Sequence, residues 1–340
     1  MTIHATPISD QALWDAFVRS VPAHTFLQSW RYGEVLQAAG HSLLRIGLIQ
    51  ADALIGVAQL VRFHLRPGSF LLCPHGPLLR DWTQPTHVAA MIDAVATVGR
   101  AQKVAYVRLN PTVAGQEAQL QAHGCTPAPV QLYVENTWVI DLTSPPEMLL
   151  RQMRRTTRNA IRDATRAGIA VTVDTDLRDL PVLLDLYAQT AADQHFEPVA
   201  SRYIEAEAHI FARYGQAAIF CARRDGVALA AVLVIFEGDT AYAHFGASAR
   251  TTPRSFASHL VQWRIMEAAQ ARGCTTYDLW GIAPADKPDH PWVGFSTFKR
   301  GFGGREVAYM HAHDLPLKAH YLLVHIVETL RRRRRGLPLW

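Results

Sequence analysis

The chain states its plan twice. Read for hydrophobic period, residues 28–39 form a helix, followed by two strands, 43–50 and 53–63, around a polar turn. A strand ending in CPHGP, a helix over 87–101 and the strand VAYVRLNP complete the first half. The second half repeats that order. Helices over 180–192 and 201–214 lead into strands AAIFCAR and VALAAVLVIF around the turn RDG. TAYAHFGAS, a helix over 257–272 and TTYDLWGI then follow. Gly76 and Ala247 lie 171 positions apart, and so do Tyr106 and Tyr277. Unrelated halves rarely hold such a register, so a duplicated unit is expected, with helices packed on mostly antiparallel strands in an α+β architecture. The boundary falls at Thr143-Ser144-Pro145-Pro146, where Ser144 is placed to cap the next helix and the prolines enter its first turn. The expected division is 1–144, 145–314, and a C-terminal helix with a basic tail over 315–340.

Charge is concentrated in one place. The net +5 equals one run, Arg331 to Arg335, and the remaining bases match the 29 acids. The run is either a solvated tail or a contact for an anionic partner, RNA or a lipid surface. Residues 316–330 before it repeat apolar side chains at Ala319, Leu322, Leu323, Ile326, Val327 and Leu330. That is an amphipathic helix, for packing on a domain or, less simply, for membrane insertion. Lys318, His320, His325 and Glu328 rule out spanning. The opening residues lack the basic and apolar regions of a signal peptide. Four widely separated cysteines, Cys73, Cys125, Cys221 and Cys274, form no CxxC pair, which fits a reducing compartment without disulfides or zinc.

A helix expected over 147–168 carries Arg151, Arg155, Arg158, Arg162 and Arg166 on one face. It is a solvated face, a site for an anionic ligand such as tRNA, or a face met by acids of the other domain. The histidines show no HExxH, and His311 and His313 alternate in a strand, as surface residues do. Neither a GxSxG elbow nor a cysteine nucleophile is present, so transfer without a covalent enzyme intermediate is favoured. GFSTFKRGFGGR, over 294–305, fits no phosphate-loop pattern. On its own it reads as a surface turn bearing Lys299.

The element order resembles a duplicated acetyltransferase (GNAT) unit. The matching pyrophosphate loop reads RTTPRSFA, with Pro253 and Ser255 in place of glycines, which disfavours coenzyme A. Four stretches in order, FLQSWRYGEVLQ, PHGP, RRTTRNAIRDATRAGI, and YDLWGI followed by GFSTFKRGFGG, resemble the Fem family of peptidyltransferases. These build peptidoglycan cross-bridges from aminoacyl-tRNA. The resemblance implies two GNAT-like domains, a C-terminal helix packed back on the first, and no cofactor. It implies attack by a stem-peptide amine of lipid II or UDP-MurNAc-peptide on the aminoacyl ester, at the cytoplasmic membrane face. Lys299 would stabilise charge on the carbonyl or ribose oxygen and Phe298 would stack on the terminal adenosine. Gly301, Gly303 and Gly304 would allow close approach to a ligand. Substrate contacts implied are Arg31, Tyr32, His75, Asn110, Arg202, Tyr203, Phe245 and Trp280; Arg151, Arg155, Arg158 and Arg162 would meet tRNA. Asn110 stands where the family commonly has an acid, Phe245 where a tyrosine is frequent, His75 where arginine is frequent, and Val199 where an arginine precedes the tyrosine. An acyl-CoA N-acyltransferase and a catalytically degenerate binding protein are the alternatives.

Overall fold

The two runs of strands close into two sheets, each with its own core. The computed structural model describes residues 2–65, 68–194, 196–250 and 255–335. They divide into a first unit, up to Glu135 and again from Ala308, and a second unit, Asn136–Val307. Pro253 of the expected loop lies outside the described residues.

The first unit opens with β1 (Ile3–Pro7), α1 (Gln11–Ser20) and α2 (Trp30–Ala38). Next come β2 (Ser42–Gln50), β3 (Ala53–Leu65), β4 (Gly68–Cys73) and β5 (Leu78–Leu79). Then α3 (Pro85–Ala101), β6 (Tyr106–Leu109), α4 (Glu117–Ala122) and β7 (Thr126–Pro127) complete its N-terminal part. Proline starts α3, where its missing N–H costs nothing, and Val88, Met91, Ile92 and Val95 bury one stripe at helical spacing. α2 begins two residues later than expected because Gln28 ends a separate 3-10 turn and Ser29 accepts from the Tyr32 N–H as its cap.

The second unit comprises β8 (Asn136–Asp141), α5 (Pro146–Gln152), α6 (Arg155–Arg166), β9 (Ala170–Asp174), α7 (Leu180–Gln194) and α8 (Ser201–Arg213). It continues through β10 (Ala217–Arg224), β11 (Val227–Glu237), β12 (Thr240–Ser248), α9 (Ala257–Ala271), β13 (Thr276–Gly281), α10 (Val293–Arg300) and β14 (Arg305–Ala308). The chain then returns to the first unit as β15 (His313–Pro316) and α11 (Tyr321–Arg335).

Strand order is β1-β2-β3-β4-β6-β15-β7 in one sheet, with β5 on β3, and β14-β8-β13-β12-β11-β10-β9 in the other. Each sheet contains a parallel pair among antiparallel ones. Phe70 lies opposite Tyr106 in the first and Ala241 opposite Tyr277 in the second. Both members keep the 171-residue offset, so the repeat extends to the register of the parallel strands.

Five expectations need correction. The helix over 147–168 is broken. Met153 and Arg154 are extended, and the Arg154 N–H donates to the Gly301 carbonyl at 2.9 Å, so Arg151 belongs to α5 and the other four arginines to α6. Pro145, without a side-chain bond, holds the N-cap position expected of Ser144, whose carbonyl instead accepts from Gln270. The last helix starts at Tyr321 because Pro316 is taken up by β15, and it runs on through the arginines. β8, expected before the boundary, pairs with β13 in the second sheet. His313 is not a surface residue; β15 sits between β6 and β7 and buries it.

Candidate active site

β12 and β13 pair for only three residues, Thr240–Tyr242 against Thr276–Asp278. After Asp278 the register of β13 against β8 breaks and resumes at Gly281. Trp280, within the break, has φ 66°, a left-handed conformation costly for a bulky residue. β12 meanwhile follows β11 to Ser248. The two parallel strands therefore part, and aromatic rings gather where they separate. Trp280 meets His244 at 5.0 Å and Tyr242 at 6.0 Å, while Phe245 meets Tyr187 at 5.9 Å and Tyr203 at 6.4 Å. Tyr203 and Arg202 open α8, Tyr203 half-buried and Arg202 exposed.

Buried ionisable groups accompany these rings. His244 Nδ1 lies 2.6 Å from Oε1 of Glu207, a carboxylate with no exposure. A carboxylate on Nδ1 favours the tautomer protonated there. Asp278 accepts from the Thr137 hydroxyl and, at 2.7 Å, from the Trp280 N–H. Burial still raises its carboxyl to about 6 against those bonds and against the Lys299 and His244 charges.

Lys299 occupies the last turn of α10, not a glycine-rich turn, and is 4% exposed. Its Nζ donates to the Gly281 carbonyl at 2.7 Å and sits 3.9 Å from the Phe295 ring centroid. Burial lowers its ammonium to about 7, with Asp278 opposing the shift. No contact bond joins Lys299 to Asp278; each is pushed toward its neutral form by the same dry surroundings.

Two of the glycines after Lys299 serve the scaffold. A Cβ on Gly304 would come within 2.3 Å of the Val139 carbonyl, and one on Gly303 within 3.1 Å of the Gln152 carbonyl. Both have positive φ and permit close approach to the protein's own backbone, whereas Gly301 lines the pocket that Phe298 shares. Phe298, one residue before Lys299, faces elsewhere. It lines a pocket of about 310 Å³ with Arg154, Thr157, Phe256 and His259, and its ring lies 4.9 Å from His259.

Among the arginines, Arg158 donates to the Met153 carbonyl and so closes the end of α5, and Arg162 bonds Asn159. Arg151 and Arg155 are exposed. The remaining expected residues lie in the first unit. Tyr32 is buried with its hydroxyl 2.9 Å from that of Tyr133. His75 is buried with Nδ1 2.9 Å from Thr25 Oγ1 and Nε2 3.0 Å from the Val134 carbonyl, so both ring nitrogens are engaged in the fold. Asn110 is buried, its backbone N–H donates to the Gly76 carbonyl at 2.9 Å, and neither side-chain amide atom has a partner among the described residues. Arg31 lies 3.7 Å from Asp15. Sequence reading missed His244, Glu207, Asp278 and Arg154. For two of them a signal exists: Asp278 is an acid inside the apolar strand TYDLWG, and Glu207 an acid on the stripe of Ile204, Ala208 and Phe211.

Two sheets of this order, each with a parallel pair, define a tandem GNAT-like fold. Residues 151–292 match the model of the acetyltransferase (GNAT) domain, and residues 10–129 that of the FemAB family. The chain thus carries its FemAB match within the first unit and its GNAT match within the second. It is 21% identical to the lipid II:glycine glycyltransferase of Staphylococcus saprophyticus, with 95% of each chain covered. The crystal structure of FemX superposes with a TM-score of 0.83 at 19% identity, over 96% of this chain and all of that one. L-PGS from Bacillus licheniformis shares the fold more distantly, with a TM-score of 0.58 at 11% identity over 94% and 96%.

Proposed function

We propose that the protein transfers an amino acid from aminoacyl-tRNA to the stem-peptide amine of a peptidoglycan precursor, in cross-bridge synthesis. The buried Lys299 beside the parted strands carries this reading, because acyl transfer needs a positive charge held where an oxyanion forms. The relatives named lipid II:glycine glycyltransferase support lipid II as the acceptor and glycine as the amino acid. Amine nitrogen attacks the ester carbonyl, the new C–N bond forms, and the ester C–O bond breaks to release the ribose hydroxyl. Lys299 in its ammonium form offsets charge on the carbonyl oxygen and then on the departing ribose oxygen. His244, oriented by Glu207, accepts the proton that the amine must lose and passes it to the departing ribose oxygen, a role asparagine at 110 does not fill. Phe298 takes the terminal adenine in the pocket that Arg154 also lines, and the exposed Arg151 and Arg155 meet the phosphates. Tyr203, Phe245 and Trp280 enclose the aminoacyl group.

Purified protein incubated with mixed radiolabelled aminoacyl-tRNAs and lipid-linked or nucleotide-linked stem peptide should yield labelled peptide. Labelled acetyl-coenzyme A in place of tRNA should yield none. Folded protein that transfers no amino acid, or that transfers acetyl instead, defeats the reading.

A further inference from the structure

α11 packs and still presents apolar surface. Tyr321, Val324 and Glu328 are buried against the first unit, where the Glu328 carboxylate accepts from Arg108 at 2.7 Å and from the Tyr106 hydroxyl at 3.1 Å. Leu322, Leu323, Ile326 and Leu330 on the same helix are 50–71% exposed. At 3.6 residues per turn these four fall within about 100° of arc, opposite the buried anchors. They form a continuous stripe, not scattered surface leucines.

The helix then runs directly into Arg331–Arg335, which holds the whole net positive charge of the chain. Its only acid, Glu328, points inward and is hydrogen bonded. A second copy docking on the stripe would meet another arginine run and no acid of α11 to offset it. RNA would suit the arginines but leave four aliphatic side chains in water. A bilayer with anionic headgroups satisfies both, the aliphatic groups at the acyl boundary and the guanidinium groups among the phosphates.

We propose that α11 is an interfacial helix that seats the protein on an anionic lipid bilayer through Leu322, Leu323, Ile326, Leu330 and the adjoining arginines. This docking is independent of the reaction proposed above, and its test measures no turnover. Full-length protein is sedimented with vesicles of phosphatidylcholine alone or mixed equally with phosphatidylglycerol. Binding is expected to the mixed vesicles only, and it should weaken as salt rises. Leu323→Glu with Ile326→Glu should lower the bound fraction about tenfold or more, with the thermal midpoint unchanged because both side chains are exposed. Ile326→Trp should keep binding and shift its added fluorescence to the blue when mixed vesicles are added. Undiminished binding by the glutamate pair overturns the proposal. So does an unshifted tryptophan, or a lipid-free dimer that the glutamate pair dissolves.

Discussion

The two units treat buried charge in opposite ways. In the first, Arg108 on the parallel strand β6 is 1% exposed and bonds Asp314 of β15 through two nitrogens, at 2.7 and 2.8 Å, and Glu328 of α11 at 2.7 Å. Tyr321 adds a hydroxyl to Asp314 at 2.9 Å. Burial works against the guanidinium charge, but Asp314 and then Tyr106 and Glu328 outweigh it and hold Arg108 above its ordinary value. In the second, Asp278 and Lys299 are also buried but share no contact, and burial moves both toward neutrality. The paired strands differ to match. β4 and β6 stay in register for four residues, and β12 and β13 part after three. One copy of the repeat has its charges locked to hold the C-terminal segment in place; the other leaves them without a shared contact where β12 and β13 part. The proposed chemistry therefore falls in one copy and the lock on the C-terminal segment in the other.

The largest effect should come from breaking the locked copy. Arg108→Met leaves Asp314 and Glu328 buried without their cation, which costs about 3–5 kcal/mol of stability. Urea unfolding followed by circular dichroism measures it, and loss of under about 1 kcal/mol would show that the network is not what holds α11. Turnover per folded molecule should be unaffected.

The other copy should answer in reverse. Lys299→Met, and separately His244→Gln, should each lower kcat/KM for aminoacyl transfer by about a hundredfold, roughly 2.7 kcal/mol of barrier. Lys299→Met should not destabilise the fold, since it replaces a buried cation with an apolar side chain of similar length. If either variant keeps its rate, that residue is outside the mechanism.

The contrast between copies was only half legible in the sequence. Period, turns and the 171-residue offset carry the fold, because apolar alternation and helical spacing are local properties of residues such as Val88, Met91 and Val95. An ordered motif set singled out Lys299 but not its helical setting: GFGG reads as a turn, and the approaches of Gly303 to Gln152 and of Gly304 to Val139 explain two of those glycines. His244 and Glu207 are 37 residues apart and meet only because α8 packs where β12 parts from β13. The break at Arg154 is equally non-local, since its partner is the carbonyl of Gly301. A pairing set by tertiary approach leaves no periodic trace.

The smallest effect is the most discriminating. Lys299 must be charged to act on an oxyanion, and in the free protein it loses its proton around 7 rather than at its ordinary 10.5. Transfer measured as kcat/KM should therefore decline as pH rises through about 7. The same depressed value makes stability rise with pH between about 7 and 10.5, because only the unfolded chain stays protonated there. Asp278 supports the charged form of Lys299, so Asp278→Asn should draw the declining limb toward acid by about one pH unit, near 1.4 kcal/mol. Titration of the acceptor amine is common to both proteins and cancels when the two profiles are divided. Lys299→Arg, charged throughout, should show no such limb. A limb that stays at the same pH in Asp278→Asn would mean the two buried groups do not sense each other, and the second unit would lose the feature that sets it apart from the first.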